Sequence, residues 1–118
     1  MILVDTSVWI DHLRHGNARL AALLEGDEVA WHPFVLGELV LGNLRTDSEV
    51  PALLMELPVA MVAEHQEALA FVSRHALAGS GIGWVDVHLL CSAALSQARV
   101  WTLDRRLQAA ASRLDLHA

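Results

Sequence analysis

The chain has no lysine. Its eight arginines carry all the fixed side-chain positive charge, against fourteen acids, for a net charge of −6. That absence removes several chemistries at once. A P-loop needs a lysine on the β- and γ-phosphates, and a Schiff-base enzyme needs a lysine amine. A phospho-acceptor receiver domain also places an acid after a strand, but it relies on a lysine nearby. The acidic balance makes the chain a poor general binder of nucleic acid, because affinity for phosphates comes mostly from Lys and Arg. Action on nucleic acid would need bound cations to offset the repulsion. Cysteine is nearly absent too: Cys91 stands alone, so no internal disulfide forms and a reducing, cytoplasmic location is expected. Cys91 itself reads as a small core residue. No run of about 18 uncharged apolar residues is present to span a membrane. The N-terminal apolar run is short and has no basic region before it, unlike a signal peptide. There is no G-x-S-x-G elbow, no internal repeat and no linker.

What is present is apolar: 54% of the residues, with 19% charged. That composition excludes disorder and suits one well-filled domain over residues 1–118. Strand-like and helix-like segments alternate, which favours an α/β fold with a parallel sheet covered by helices. Ile2 to Val4 reads as a buried strand. A helix from Thr6 to His15 should follow, with Val8, Trp9 and Leu13 toward the core, broken by Gly16-Asn17. A second short helix carries Leu20, Leu23 and Leu24. Glu28 to Trp31 reads as a second strand, and Pro33 opens a third helix at a favourable first position. Arg45 to Ser48 reads as a polar loop. The segment from Glu49 to Glu56 reads as a short helix with Leu53, Leu54 and Leu57 inward. Val59 to Val62 suggests a third strand, and Glu64 to Ala78 an amphipathic helix with Leu69, Val72 and Leu77 in the core. Gly79 to Gly83 superficially resembles a phosphate-binding loop, but it follows a helix and lacks the dinucleotide spacing. It reads as a flexible link that would also let a substrate backbone approach closely. Trp84 to Gln97 is a further apolar helix, Arg99 to Leu103 a fourth strand, and Asp104 opens a last helix. Residues 115–118 suggest a frayed tail or a brief fifth strand.

Four acids stand out against this background. Asp5 and Asp104 each end a strand and begin a helix, which is where open α/β sheets place their chemistry. Each would also serve simply as a helix cap. Glu38 lies in the middle of PFVLGELVLG, a helix apolar nearly all round and therefore expected to be buried. A charge there is costly unless it is paired or metal-bound. Gly37 beside it suits close approach of another element. Asp86 stands near the start of an apolar helix, where it would also complement the helix dipole. A parallel sheet with the first strand central would put Asp5 and Asp104 at adjacent strand ends, with Glu38 and Asp86 at the same edge. Four carboxylates so close cannot all ionise unopposed. A hard dication resolves this, since Mg²⁺ takes a few carboxylates plus waters, and its bound water is a more acidic nucleophile. The set therefore suggests metal-assisted phosphodiester hydrolysis. His12 and His15 share a helix face without a third ligand, and the four tryptophans read as core or interface.

Four segments in this order, VDTSVWID, PFVLGELVLG, GWVDVHLLCSAAL and VWTLDRRLQAAA, resemble the PIN-domain ribonucleases, and more narrowly the VapC toxins of bacterial type II toxin–antitoxin pairs. The resemblance spans essentially the whole chain. It implies a Rossmann-like α/β/α fold with a four- to five-stranded parallel sheet, Mg²⁺ or Mn²⁺ dependence and endonucleolytic cleavage of RNA of the tRNA or rRNA class. By position, Asp5, Glu38, Asp86 and Asp104 match the acidic quartet that is both catalytic and metal-ligating. Thr6 or Ser7, and Thr102, fall where hydroxyls support the carboxylates. The resemblance also implies homodimerisation, inhibition by a cognate VapB antitoxin, and DNA contact only through that antitoxin. With no lysine available, Arg105 and Arg106 are the candidates for RNA phosphate contacts, as bidentate forks. Two alternatives remain: a catalytically silent module of the same fold acting through a partner, and a hydrolase of small phosphate esters.

Overall fold

A computed structural model describes residues 1–42 and 49–118. Three parallel strands form the sheet in the order β2-β1-β3, with β1 (Ile2–Val4) between β2 (Val29–Ala30) and β3 (Arg99–Trp101). The register sets Leu3 opposite Ala30 on one side and Val100 on the other. Buried on both faces, β1 reads as an unbroken apolar run, as parallel strands do. Leu3, Val4, Val29 and Val100 are almost completely shielded and form the centre of the core. Leu3→Ala is expected to cost about 2–5 kcal/mol in urea denaturation, because the hole at the sheet centre cannot collapse.

Parallel neighbours need long crossovers, and helices supply them. Between β1 and β2 run α1 (Thr6–His15) and α2 (Ala18–Glu25). Between β2 and β3 run α3 (Pro33–Leu41), α4 (Val50–Met55), α5 (His65–Arg74) and α6 (Trp84–Leu95), and α7 (Arg105–Arg113) follows β3. Caps explain several starts. Asn17 accepts the Leu20 N–H, and Asp104 accepts the Leu107 N–H. His32, fully buried, caps α3 through Nδ1, which accepts the Phe34 N–H at 3.0 Å. Its Nε2 lies 3.1 Å from Ser92 Oγ on α6. Because Nδ1 is an acceptor, the ring proton sits on Nε2 and is donated to the serine.

The sheet is narrower than the four to five strands expected. Residues 59–62 and 115–118 contribute single parallel bridges, Trp31 to Val59 and Val100 to His117, instead of strands. Each flanking segment pairs at one residue and then leaves the sheet, so neither builds a ladder. Several apolar side chains also face outward where the core was expected. Leu13 is 44% exposed, Leu53 56% and Leu69 45%. Helix α3 is not buried all round: Val35 and Leu39 face the core while Leu41 is 87% exposed. Gly37 meets nothing within 4 Å of where a Cβ would stand, so close packing is not its role. Cys91 is buried, with its thiol pushed up by burial, and so is inert. The polar loop expected at residues 45–48 lies outside the described residues. No helix among the described residues is long and apolar enough to cross a membrane.

Candidate active site

The acids gather where β1 and β3 end side by side. The Asp5 N–H donates to the Trp101 carbonyl, which carries the ladder one step beyond β1 and sets the Asp5 side chain beside Thr102. Asp5 is only 6% exposed. Its Oδ2 accepts two hydroxyls at 2.7 Å each, from Ser7 and from Thr102. Those two hydroxyl oxygens lie 3.2 Å apart, and each is itself held by a backbone N–H: Leu103 donates to Ser7 Oγ and Asp104 donates to Thr102 Oγ1. The strand–acid–helix junction at residues 4–6 and the one at residues 103–105 are thereby stitched into one unit.

Glu38 joins from α3, with its Oε1 accepting the Thr6 hydroxyl at 2.8 Å. Thr6 and Ser7 therefore divide their work between two acids. Asp104 caps α7 with Oδ1. Asp86 accepts the Gly83 N–H through Oδ2 at 3.0 Å, at the start of α6. Burial pushes the Asp86 carboxyl above its ordinary range. The Gly83 hydrogen bond opposes that, and the charges of Asp5, Asp104 and Glu38 add to it. All three other acids are thus within electrostatic reach of Asp86. The plain helix-cap reading covers Asp104 in part but not this mutual repulsion.

Among the described residues, each of the four carboxylates is held by one oxygen while its other oxygen accepts no hydrogen bond. Hard dications take such oxygens as ligands. No group of three or more His, Cys, Asp or Glu side chains among the described residues is gathered closely enough to hold a metal ion as it stands. The donor chemistry and the held orientations suit a hard dication.

The raised Asp86 carboxyl carries a stability consequence. The folded chain holds that proton more tightly than the unfolded chain. Stability therefore falls as pH rises from the ordinary value near 3.8 through the raised one, and stays lower above it. Asp86→Asn keeps an oxygen for the Gly83 N–H and removes the charge. It is expected to raise the melting temperature of the metal-free protein at neutral pH, with little effect near pH 3, when the two chains are compared by thermal denaturation.

Arg105 and Arg106 are exposed on the first turn of α7, next to Asp104. Arg106 reaches back to the Gly81 carbonyl at 3.5 Å. Sequence reasoning assigned no role to His32, His88 or Arg113. His32 immediately before Pro33 is a helix start, and that proline is the signal for it. His88, buried between the edges of Phe34 and Trp84, leaves its Nδ1 without a partner. Arg113 stands seven residues after Arg106, a spacing that returns to the same helix face.

Comparison with known proteins agrees with this architecture. A family model described as "PIN domain" matches residues 2–113. Ribonuclease VapC32 of Mycobacterium tuberculosis, from strains CDC 1551 / Oshkosh and ATCC 25618 / H37Rv, is 51% identical over 111 residues. The match covers 93% of this chain and 90% of the relative. The crystal structure of FitAcB from Neisseria gonorrhoeae superposes with a TM-score of 0.65 at 23% identity, covering 95% of this chain and 94% of that one. FitAB bound to an IR36 DNA fragment gives 0.62 at 22% identity, covering 95% and 91%. These last two likenesses concern the fold. With a family match over nearly its whole length and half its residues shared with a named relative, the chain belongs to the PIN-domain VapC ribonucleases.

Proposed function

We propose that this chain is a Mg²⁺- or Mn²⁺-dependent endoribonuclease, the toxin of a type II pair, which hydrolyses phosphodiester bonds in RNA of the tRNA or rRNA class. The observation that carries the reading is the hydrogen-bonded junction that brings Asp5 and Asp104 to adjacent strand ends and holds Glu38 to it through Thr6, acids drawn from distant parts of the chain. Proteins do not collect like charges without return, and perturbed carboxylates cluster at working sites.

Asp5 and Asp86 are the candidates to hold the metal, with Glu38 and Asp104 completing the set. A bound dication supplies counter-charge for a phosphoryl oxygen and a water of lowered pKa. Ser7 and Thr102 hold the Asp5 carboxylate in place by donating to it, and Thr6 keeps Glu38 aimed. The open carboxylate oxygens would hold such an ion with little rotamer freedom left to lose.

The reading extends to partners. A VapB-type antitoxin fits the outward apolar side chains. Leu13 and Leu53 join Trp9, Leu24, Leu54 and Leu57 around a cleft of about 470 Å³, wide enough for side chains of an amphipathic segment. DNA would be met only through that antitoxin. Homodimerisation suits the exposed Val59, Met61, Val62 and Leu95.

The test is cleavage of structured RNA with and without Mg²⁺. Metal-dependent cutting supports the reading. Absence of cutting together with no metal-linked rise in melting temperature would favour the silent binding module. Activity confined to nucleotide monoesters would favour the small-ester hydrolase.

A further inference from the structure

Helix α7 carries a pattern that the acidic site does not use. On a helix of 3.6 residues per turn, Arg105, Arg106, Ala109, Ala110 and Arg113 fall within an arc of about 140°. Along the helix axis the alanines occupy the middle of that face, and arginines stand at its two ends. This face looks onto an open cleft of about 440 Å³. The opposite wall, Ala76, Ala78, Gly79 and Ser80, is made of residues almost as small.

The ends of the cleft are set by two hydrogen bonds. Arg113 Nη2 donates to the His75 carbonyl at 2.9 Å, and Arg106 Nη1 to the Gly81 carbonyl at 3.5 Å. Each guanidinium has five N–H donors in a planar fork, so most remain available. None of the three arginines has a carboxylate within ion-pair distance among the described residues, whereas Arg99 is paired with Asp115. Three of the chain's eight arginines thus line one cleft with their charge unspent, in a protein of net charge −6. Gly81 fits the same purpose. Its φ of +85° suits glycine, and a Cβ there would stand 3.1 Å from Arg106 Nη1 and 3.2 Å from its Cδ, so only glycine leaves the arginine in place.

We propose that this cleft is a nucleotide subsite. It would hold one nucleotide of the RNA strand next to the point of cleavage, with Arg106 and Arg113 taking the phosphates on either side and the alanine–glycine walls facing ribose and base. This rests on the nuclease reading. Asp104 caps the same helix whose arginines form the subsite, so the cleft and one of the acids share a single helix. The cleft volume suits a ligand of nucleotide size. Ser80 brings the one uncharged polar side chain to the lining, so no array of amides or carboxylates is present to read base edges. The subsite therefore positions RNA by its backbone and accepts any base.

The experiment measures binding of a short fluorescent single-stranded RNA to the non-cutting Asp5→Asn chain over a range of salt, beside cleavage by the otherwise unaltered chain. The double variant Arg106→Gln/Arg113→Gln is expected to lose affinity at least about tenfold at low salt. Its slope of log affinity against log salt should flatten by about 1.4, two phosphate contacts at roughly 0.7 each. The loss should be the same for RNAs of different sequence. Ala109→Leu, which fills the floor without touching charge, should weaken binding and leave the slope alone. A folding defect would show in the melting temperature and would not alter a salt slope in this way. If the unaltered chain cuts RNA but the double variant binds with wild-type affinity and slope, the subsite is wrong and the nuclease reading stands. If RNA binds as described but is never cut, the nuclease reading fails, and with it the placement beside a cleavage point, while the cleft remains an RNA-binding site.

Discussion

Asp5→Asn is expected to lower RNA cleavage by at least about 100-fold while leaving the fold in place. The amide has the shape of the carboxylate, and the Ser7 and Thr102 hydroxyls still meet an oxygen if the side chain keeps its orientation. What disappears is one negative charge from the four. The metal-free variant should melt no lower than the parent, since one repulsion on Asp86 is gone. Its gain in melting temperature on adding Mg²⁺ should shrink or vanish, because that gain measures metal held by the folded state. Cleavage assays and paired thermal scans check both halves. A variant that cuts like its parent would remove Asp5 from the chemistry.

The second large effect is on stability in acid and is centred on His32. Burial, with a smaller contribution from nearby His88, pushes its pKa down from 6.5 to about 4. A lowered histidine is neutral in the fold, where the Phe34 N–H and Ser92 occupy both nitrogens, but takes up a proton readily once unfolded. The unfolded chain therefore binds more protons across this window, and stability drops as pH falls from about 6.5 to about 4. Over the whole window the loss from this one group amounts to about 3 kcal/mol. His32→Asn retains an acceptor for the helix cap but strands Ser92, at a cost of about 1–3 kcal/mol near pH 7. Urea denaturation at pH 7 and pH 4.5 should show the variant weaker at the first and less sensitive to the change. Equal sensitivity in both chains would mean that another group governs the acid response.

Local chemistry made much of the site readable. An apolar run ending in an acid and followed at once by a helix pattern identified the Asp5 and Asp104 junctions, and the structure sets them side by side. Glu38 stood out because its helix was expected to be buried all round; the helix is partly exposed, yet Glu38 still accepts the Thr6 hydroxyl. The finer wiring was not readable: which hydroxyl serves which acid depends on rotamers, and Thr6 turns to Glu38 while Ser7 and Thr102 turn to Asp5. The fold erred in one consistent direction. Leu13, Leu53 and Leu69 keep helical periodicity, but periodicity reports an apolar stripe and not what covers it. The sheet edges were overread for a similar reason, since residues 59–62 have strand composition yet find a neighbour for a single bridge. Arg113 escaped notice because an arginine on a polar helix face looks solvated until the wall opposite it is seen.

The oxygen of Asp5 that takes two hydroxyls draws one of them from a position 97 residues away. In chain order the middle strand of the sheet comes first, and the neighbour bearing Thr102 and Asp104 comes only after α1 to α6. On the nuclease reading, a nascent copy is latent until β3 has emerged, and fragments truncated before β3 are inert. A ribosome making such a chain is thereby shielded from its product until β3 has been made.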